Sequence, residues 1–155
     1  MEHYATILRD IVERIGLPPL KEVAARPGVN AAYRITLHYF DFRASDCVVT
    51  LKTMRPADTI SEAVYAGHFN HKPITRTVSV IDYENFSRVI QTINFDKLPD
   101  QQNVPMYSVD LCMVERASGS FTHGIIFAPQ KADGVYHTLL AALRTYLPEI
   151  FREVK

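Results

Sequence analysis

The chain has 155 residues and carries 17 lysine and arginine residues against 17 aspartate and glutamate residues, so its formal net charge at pH 7 is zero. A balanced chain has no overall field to attract nucleic acid or an anionic membrane, so we expect neither as a partner. Its hydrophobic fraction of 47% and charged fraction of 22% are those of a soluble globular protein, and we predict one domain spanning residues 1–155.

The N-terminal residues form an amphipathic pattern that includes Glu2 and Arg9, which differs from the apolar core of a signal peptide. No apolar run is long enough to span a bilayer. We therefore expect a cytoplasmic protein, although an exported protein without its signal would look the same. The two cysteines, Cys47 and Cys112, lie outside any Cys-x-x-Cys motif, and we interpret them as reduced, partly buried thiols.

The first predicted element is an amphipathic helix. Apolar residues recur at intervals of three and four between Tyr4 and Ile15, which is typical of a helix with one buried side. Gly16 and the prolines that follow it are expected to end this helix. Residues 20–25 could add one further helical turn.

Two strands follow, and they are predicted to form a hairpin. Residues 31–42 and 47–54 both alternate apolar and polar side chains, as half-buried strands do. The polar face of this hairpin carries Arg34, Thr36, His38 and Lys52. If no helix covers that face, it is a solvated surface able to bind a partner, with Arg34 and His38 as candidate ligand-binding residues.

The middle of the chain is less regular. Residues 56–67 allow two interpretations, a short helix or an irregular connection. Residues 74–81 are rich in β-branched side chains and predict a third strand. Asp82 is then expected to cap a helix, and the polar residues 94–105 predict a surface loop.

The clearest pattern lies between Met106 and Ala128, where two β-prone runs flank a polar segment that contains Gly119. Such a pattern indicates a β-hairpin. In the first run the apolar face consists of Tyr107, Val109, Leu111 and Met113.

The register of this hairpin can be predicted from its apolar residues. Pairing Glu115 with Phe121 brings the apolar faces of the two runs together, whereas a slip of one residue separates them. This register places His123 on the buried face. It places Cys112 opposite Gly124, on the face away from His123.

Asp133 is expected to cap a final helix with a broad apolar stripe, which Pro148 interrupts. Because this helix follows the hairpin after a short connection, we expect it to cover the hairpin face that contains Leu111. Strands joined by short turns indicate an antiparallel sheet. We therefore predict an α+β fold with an antiparallel sheet of about five strands and helices packed mainly on one face.

Two pairs of residues are candidates for chemistry. His123 and Cys112 could form an activated nucleophile, but the predicted register separates them, so a core histidine and an inert thiol are the simpler interpretation. His68 and His71 are spaced to supply half of a metal site. A glycine and a proline flank that segment, which favours a loop with solvated histidines and no metal.

Arg116, next to Glu115, could bind the carboxylate of a ligand, although such neighbouring charges usually form a surface pair of little energy. The chain contains no Gly-x-Ser-x-Gly, Gly-x-Gly-x-x-Gly, phosphate-loop or His-Glu-x-x-His motif. We therefore predict a non-catalytic binding module for a protein partner or a small ligand, without a cofactor. The alternatives are a small enzyme with a sheet–helix pocket that uses His123 or Cys112, and a structural subunit that forms a homodimer through a sheet edge.

Overall fold

The helices and strands are those of a computed structural model that describes residues 2–55, 61–67, 73–105 and 107–151. The helices are α1 (Glu2–Ile15), α2 (Leu20–Ala24), α3 (Val80–Thr92) and α4 (Gly134–Tyr146). The strands are β1 (Val29–His38), β2 (Cys47–Met54), β3 (Ser61–Gly67), β4 (Ile74–Val78), β5 (Leu111–Ser118) and β6 (Phe121–Phe127). Short 3-10 helices cover Phe95–Lys97, Pro129–Lys131 and Pro148–Ile150.

The strands form one antiparallel sheet in the order β4-β3-β2-β1-β5-β6, so the predicted α+β fold is confirmed. The described residues give six strands rather than about five. The additional strand is β3, in a segment for which the sequence allowed a helix or an irregular connection. It pairs with β2, where Ala63 lies opposite Leu51 and Tyr65 lies opposite Val49, and all four side chains are buried. Pairing with a central strand outweighs the helical preference of alanine.

The helices are divided between the two faces of the sheet. Leu8 and Ile11 of α1 pack in one apolar cluster with Leu111 and Met113 of β5. Helix α2 lies on the same face, packed on Ala32 and Ala117, whereas α3 and α4 cover the opposite face. Packing mainly on one face is therefore not confirmed, and the polar face of β1, which would have been a solvated surface if no helix lay on it, is covered. None of the described helices is long and apolar enough to cross a membrane.

The predicted register of the β5–β6 hairpin is wrong by three residues. Ser118 pairs with Phe121 across a two-residue turn, which places Glu115 opposite Gly124. Gly119 begins that turn with a φ of 57°, a value that the tight turns of two-residue hairpins require. Because the error is an odd number of residues, it exchanges the two faces of β6 relative to β5.

The exchange of faces changes what the final helix covers. Leu139 and Leu143 of α4 pack in the cluster that contains Val114, Ile125 and Phe127. Helix α4 therefore covers Ile125 and Phe127 of the hairpin and does not cover Leu111, which it was predicted to cover. Val109, Leu111 and Met113 instead face α1 on the opposite side of the sheet, and Tyr107 is 80% exposed.

Candidate functional site

A cleft of about 620 Å³ lies between the two N-terminal helices and the β5–β6 side of the sheet. Helix α1 packs on the sheet through Leu8 and Ile11, and α2 packs further along through Leu20 and Val23. The cleft lies between these two contacts, above β5 and β6. The wall of the cleft on the helices includes Arg9, Glu13 and Lys21. Its floor on the sheet includes Arg34, Glu115 and Gly124.

One row of paired residues crosses the floor of this cleft. Thr50 of β2, Arg34 of β1, Glu115 of β5 and Gly124 of β6 are direct neighbours in successive strands. Side chains of directly paired residues point to the same side of a sheet, which here is the side of α1 and α2. The row therefore places a cation, an anion and a residue without a side chain next to one another.

Arg34 is a buried cation whose side chain is held in place. It is only 2% exposed, and burial lowers its pKa, although a guanidinium stays protonated in proteins. Its Nε donates a hydrogen bond to Thr50 Oγ1 at 3.1 Å, and its Nη1 donates to the carbonyl oxygen of Pro18 at 2.6 Å. The second bond ties the connection between α1 and α2 to the sheet, so Arg34 fixes one wall of the cleft.

Glu115 is a partly buried carboxylate that borders the cleft. Burial raises its pKa, and the positive charges of Arg34 and Arg9 oppose this shift without cancelling it. No hydrogen bond or ion pair joins its carboxylate to any residue within the described ranges. The carboxylate lines the cleft and is accessible to solvent there, so it is a candidate for ligand binding.

Gly124 makes room for the Glu115 side chain. A Cβ atom at position 124 would lie 3.1 Å from Cγ of Glu115, which is closer than most real contacts of this kind. The absence of a side chain at Gly124 therefore leaves an open path from Glu115 across β6 to the edge of the sheet.

The edge of the sheet at β6 is covered over only part of its length. Ile126 accepts a hydrogen bond from the backbone of Gln101 and donates one to Asp100 Oδ1, at 3.0 and 2.8 Å. The N–H of Ala128 donates to Gln101 Oε1 at 2.9 Å. The segment that contains Asp100 and Gln101, which was expected to be a surface loop, thus acts as a cover for this end of the edge strand.

The other half of the β6 edge is open. In an antiparallel ladder, alternate residues direct their N–H and C=O groups away from the partner strand, and Ile126 is one of these residues. Thr122 and Gly124 are therefore also of this kind. In the part of the chain that the structure describes, no hydrogen bond reaches their outward backbone groups. Both residues line the cleft.

His123 and Arg116 also border the cleft, but contacts on the other side of the sheet hold both. The Nε2 atom of His123 lies 2.8 Å from the carbonyl oxygen of Leu98, so this nitrogen carries the proton and donates it. Arg116 Nη1 lies 3.0 and 3.2 Å from the carboxylate oxygens of Asp96. This ion pair occupies the guanidinium that we considered for binding a ligand carboxylate.

The remaining candidate residues lie elsewhere. The prediction that Cys112 lies opposite Gly124 is wrong, because Cys112 pairs with Phe127 and shares the face of His123. The position paired with His123 is four residues along β5, about 13 Å away, so the two do not meet. Cys112 is fully buried, and burial raises the pKa of its thiol, which makes it a poor nucleophile.

The last of the sequence-derived candidates are histidines. His38 is bound through Nδ1 to Asp46 at 2.8 Å, near the end of β1 that lies away from the cleft. His68 and His71 lie outside the described residues. Among the residues that are described, no group of three His, Cys, Asp or Glu side chains converges as a metal site.

Sequence reasoning identified Arg34 but passed over Glu115. The signal was present, because Leu111 and Met113 are followed two residues later by Glu115 on the same face of the strand. A carboxylate on the same strand face as a run of apolar residues lies either at the rim of the core or in a binding site. Because Glu115 lines the cleft, we treat it as a candidate binding residue.

Comparison with protein-family models gives no match for this chain, and comparison with curated proteins gives no significant match. The cleft is therefore the basis for a functional conclusion.

Replacing Glu115 by Gln is expected to raise the free energy of unfolding at neutral pH. The raised pKa of Glu115 means that the folded chain favours the protonated carboxyl more than the unfolded chain does. This contribution to stability is fully present below the unfolded pKa and is lost as the pH rises through the folded pKa. The wild type should therefore gain stability when the pH is lowered from neutral to the ordinary pKa of a glutamate, about 4.3, and Glu115→Gln should remove that gain. Urea denaturation at both pH values measures the free energy of unfolding of the two proteins. A Glu115→Gln variant that is less stable than wild type at neutral pH and has the same pH dependence would contradict the prediction.

Proposed function

We propose that this protein is a non-catalytic binding module that takes an extended peptide segment of a partner protein as an added strand on β6. The observation that supports this proposal is the unpaired half of the β6 edge at Thr122 and Gly124, which opens into the cleft. Exposed edges of this kind bind extended peptides through main-chain hydrogen bonds, while neighbouring pockets hold alternate side chains.

The covered half of the edge defines where such a segment would lie. Asp100 and Gln101 already bond to Ile126 and Ala128, so a new strand has access only near the turn. It would exchange hydrogen bonds with Thr122 and Gly124, each of which offers one N–H and one C=O group. Its side chains opposite these two residues would then enter the cleft.

The surroundings of the candidate nucleophile and base favour binding over catalysis. Cys112 is enclosed, and His123 donates its Nε2 proton to a backbone carbonyl. A general base must reach the proton that it removes, and a nucleophile must reach its substrate. Cys112 is too buried to reach a substrate, and the Nε2 proton of His123 is already donated. The outward N–H and C=O groups of Thr122 and Gly124, in contrast, require only an extended chain as their hydrogen-bond partner.

The proposal is tested by a matched pair of substitutions at one edge position. Thr122→Pro removes the outward N–H without removing a bond to β5, because proline is tolerated at the free side of an edge strand. Thr122→Val keeps that N–H and changes only the side chain. A displayed library of linear nonapeptides is selected on the immobilised protein, and the dissociation constant of an enriched peptide is measured by fluorescence anisotropy.

We expect Thr122→Pro to weaken binding by about tenfold or more and Thr122→Val to leave it within about twofold, because one main-chain hydrogen bond is lost only in the first. Circular dichroism and thermal unfolding confirm that both variants are folded. An absence of enriched peptides would overturn the proposal. Enriched peptides that bind Thr122→Pro as tightly as wild type would also overturn it.

A further inference from the structure

The carboxylate of Glu115 points to the chemistry of the bound segment. Its partner in the next strand is Gly124, and the edge beyond Gly124 is the open one. A residue of an added strand that lies opposite Gly124 would have its side chain on the cleft side, in the same row as Glu115. No side chain at Gly124 stands between the two.

The spacing of the strands suits a long side chain. Adjacent strands lie just under 5 Å apart, so the added residue and Glu115 would be separated by roughly 9–10 Å between their backbones. The Glu115 side chain spans part of this distance, since its Cγ lies against the position that a Cβ of residue 124 would occupy. A lysine or arginine side chain that extends inward spans the remainder.

Glu115 is the acidic residue of the cleft that lies directly beside Gly124, and the nearby basic groups have other surroundings. Arg34 donates hydrogen bonds to Thr50 and Pro18, and this fixes its guanidinium. Arg9 and Lys21 lie on the exposed sides of α1 and α2, where water solvates them. The carboxylate of Glu115 is partly buried and has no hydrogen bond or ion pair to a described residue, so a basic ligand group would gain a charge-assisted hydrogen bond here.

We propose that Glu115 determines the specificity of the cleft by binding a lysine or arginine side chain of the added strand, at the position opposite Gly124. This inference rests on the proposed strand addition to β6. It adds to that proposal a defined side-chain requirement and the residue that imposes it.

The probe is the enriched nonapeptide from the selection, made as a set in which its basic residue is replaced by Gln or by Glu. Each peptide is titrated into wild type, Glu115→Gln and Gly124→Ala. Glu115→Gln is a suitable variant because it keeps the shape of the side chain and is expected to be at least as stable as wild type. Gly124→Ala places a methyl group in the path between the edge and Glu115.

We expect the enriched peptides to share a basic residue, and we expect its replacement by Gln to weaken binding to wild type by about tenfold or more. The same replacement should change binding to Glu115→Gln by less than about twofold, since the charge partner is absent. Gly124→Ala should also reduce the preference for the basic residue. Equal losses in wild type and Glu115→Gln would overturn the inference, as would a preference for acidic residues.

The two proposals fail in different ways. Binding that is sensitive to Thr122→Pro but indifferent to the basic residue would retain strand addition and overturn only the role of Glu115. Binding that is insensitive to Thr122→Pro would overturn strand addition, and the inference that rests on it would fall too. Formation of a homodimer through β6 in place of peptide binding, detected by analytical ultracentrifugation, would overturn both.

Discussion

A chain that ends after Ala132 is expected to accumulate as insoluble protein. The truncation removes α4, whose residues Leu139 and Leu143 are fully buried against the sheet. Without the helix, Ile125 and Phe127 would be left in water as part of a large apolar face, which soluble monomers rarely expose. Soluble yield, sedimentation velocity and far-UV circular dichroism measure the outcome.

The control for this truncation is a chain that ends after Phe151, which keeps every described residue of α4 and the 3-10 helix that follows it. It is expected to be soluble and folded. A chain ending after Ala132 that remains monomeric, with undiminished thermal stability, would show that α4 is peripheral to the core.

Replacing Arg34 by Met is expected to lower the free energy of unfolding by about 3–5 kcal/mol. The substitution removes hydrogen bonds to Thr50 and to the Pro18 carbonyl, and it removes the positive charge that lies beside Glu115 in the neighbouring strand. Urea denaturation measures the loss. The matched control is Arg9→Met, an exposed residue of the same cleft, which should change stability by less than about 1 kcal/mol.

The double variant Arg34→Met/Glu115→Gln separates the two causes. Removing the carboxylate as well should recover part of the loss, because no partly buried negative charge is then left without the neighbouring cation. A loss below about 1 kcal/mol for Arg34→Met alone would show that the buried guanidinium does not hold the wall of the cleft.

The helices were largely predictable because their signals are local. Apolar periodicity marked α1 and α4, and Gly16, with a φ of 86°, ends α1 where the sequence placed its end. For α3 the predicted cap was one turn too late. Ser79 caps that helix by accepting a hydrogen bond from the N–H of Asp82.

The hairpin register could not be predicted from apolar residues because both faces of the sheet are covered. The first four residues of β5, from Leu111 to Val114, are all buried, so apolar area is retained whichever face is chosen. The turn carries the deciding information. Gly119 and Ser120 alone connect the strands, and this two-residue turn fixes every pair that follows.

The candidate site could be predicted only in part, because it depends on that register. Arg34 was identifiable from the alternation of β1. The neighbourhood of Glu115 and Gly124 exists only in the observed pairing, since the predicted one placed Cys112 opposite Gly124. The open edge at Thr122 likewise depends on which residues direct their backbone groups outward, and that follows from the register rather than from residue type.

Amide hydrogen exchange with the selected nonapeptide tests strand addition to β6 most directly. We predict that the amides of Thr122 and Gly124 exchange rapidly in the free protein and at least about tenfold more slowly when the peptide is bound, because each gains a main-chain hydrogen bond. The amides of Ile126 and Ala128, which already have partners, should change little. A peptide that binds and protects amides elsewhere, while Thr122 and Gly124 exchange at their free rates, would contradict strand addition to β6.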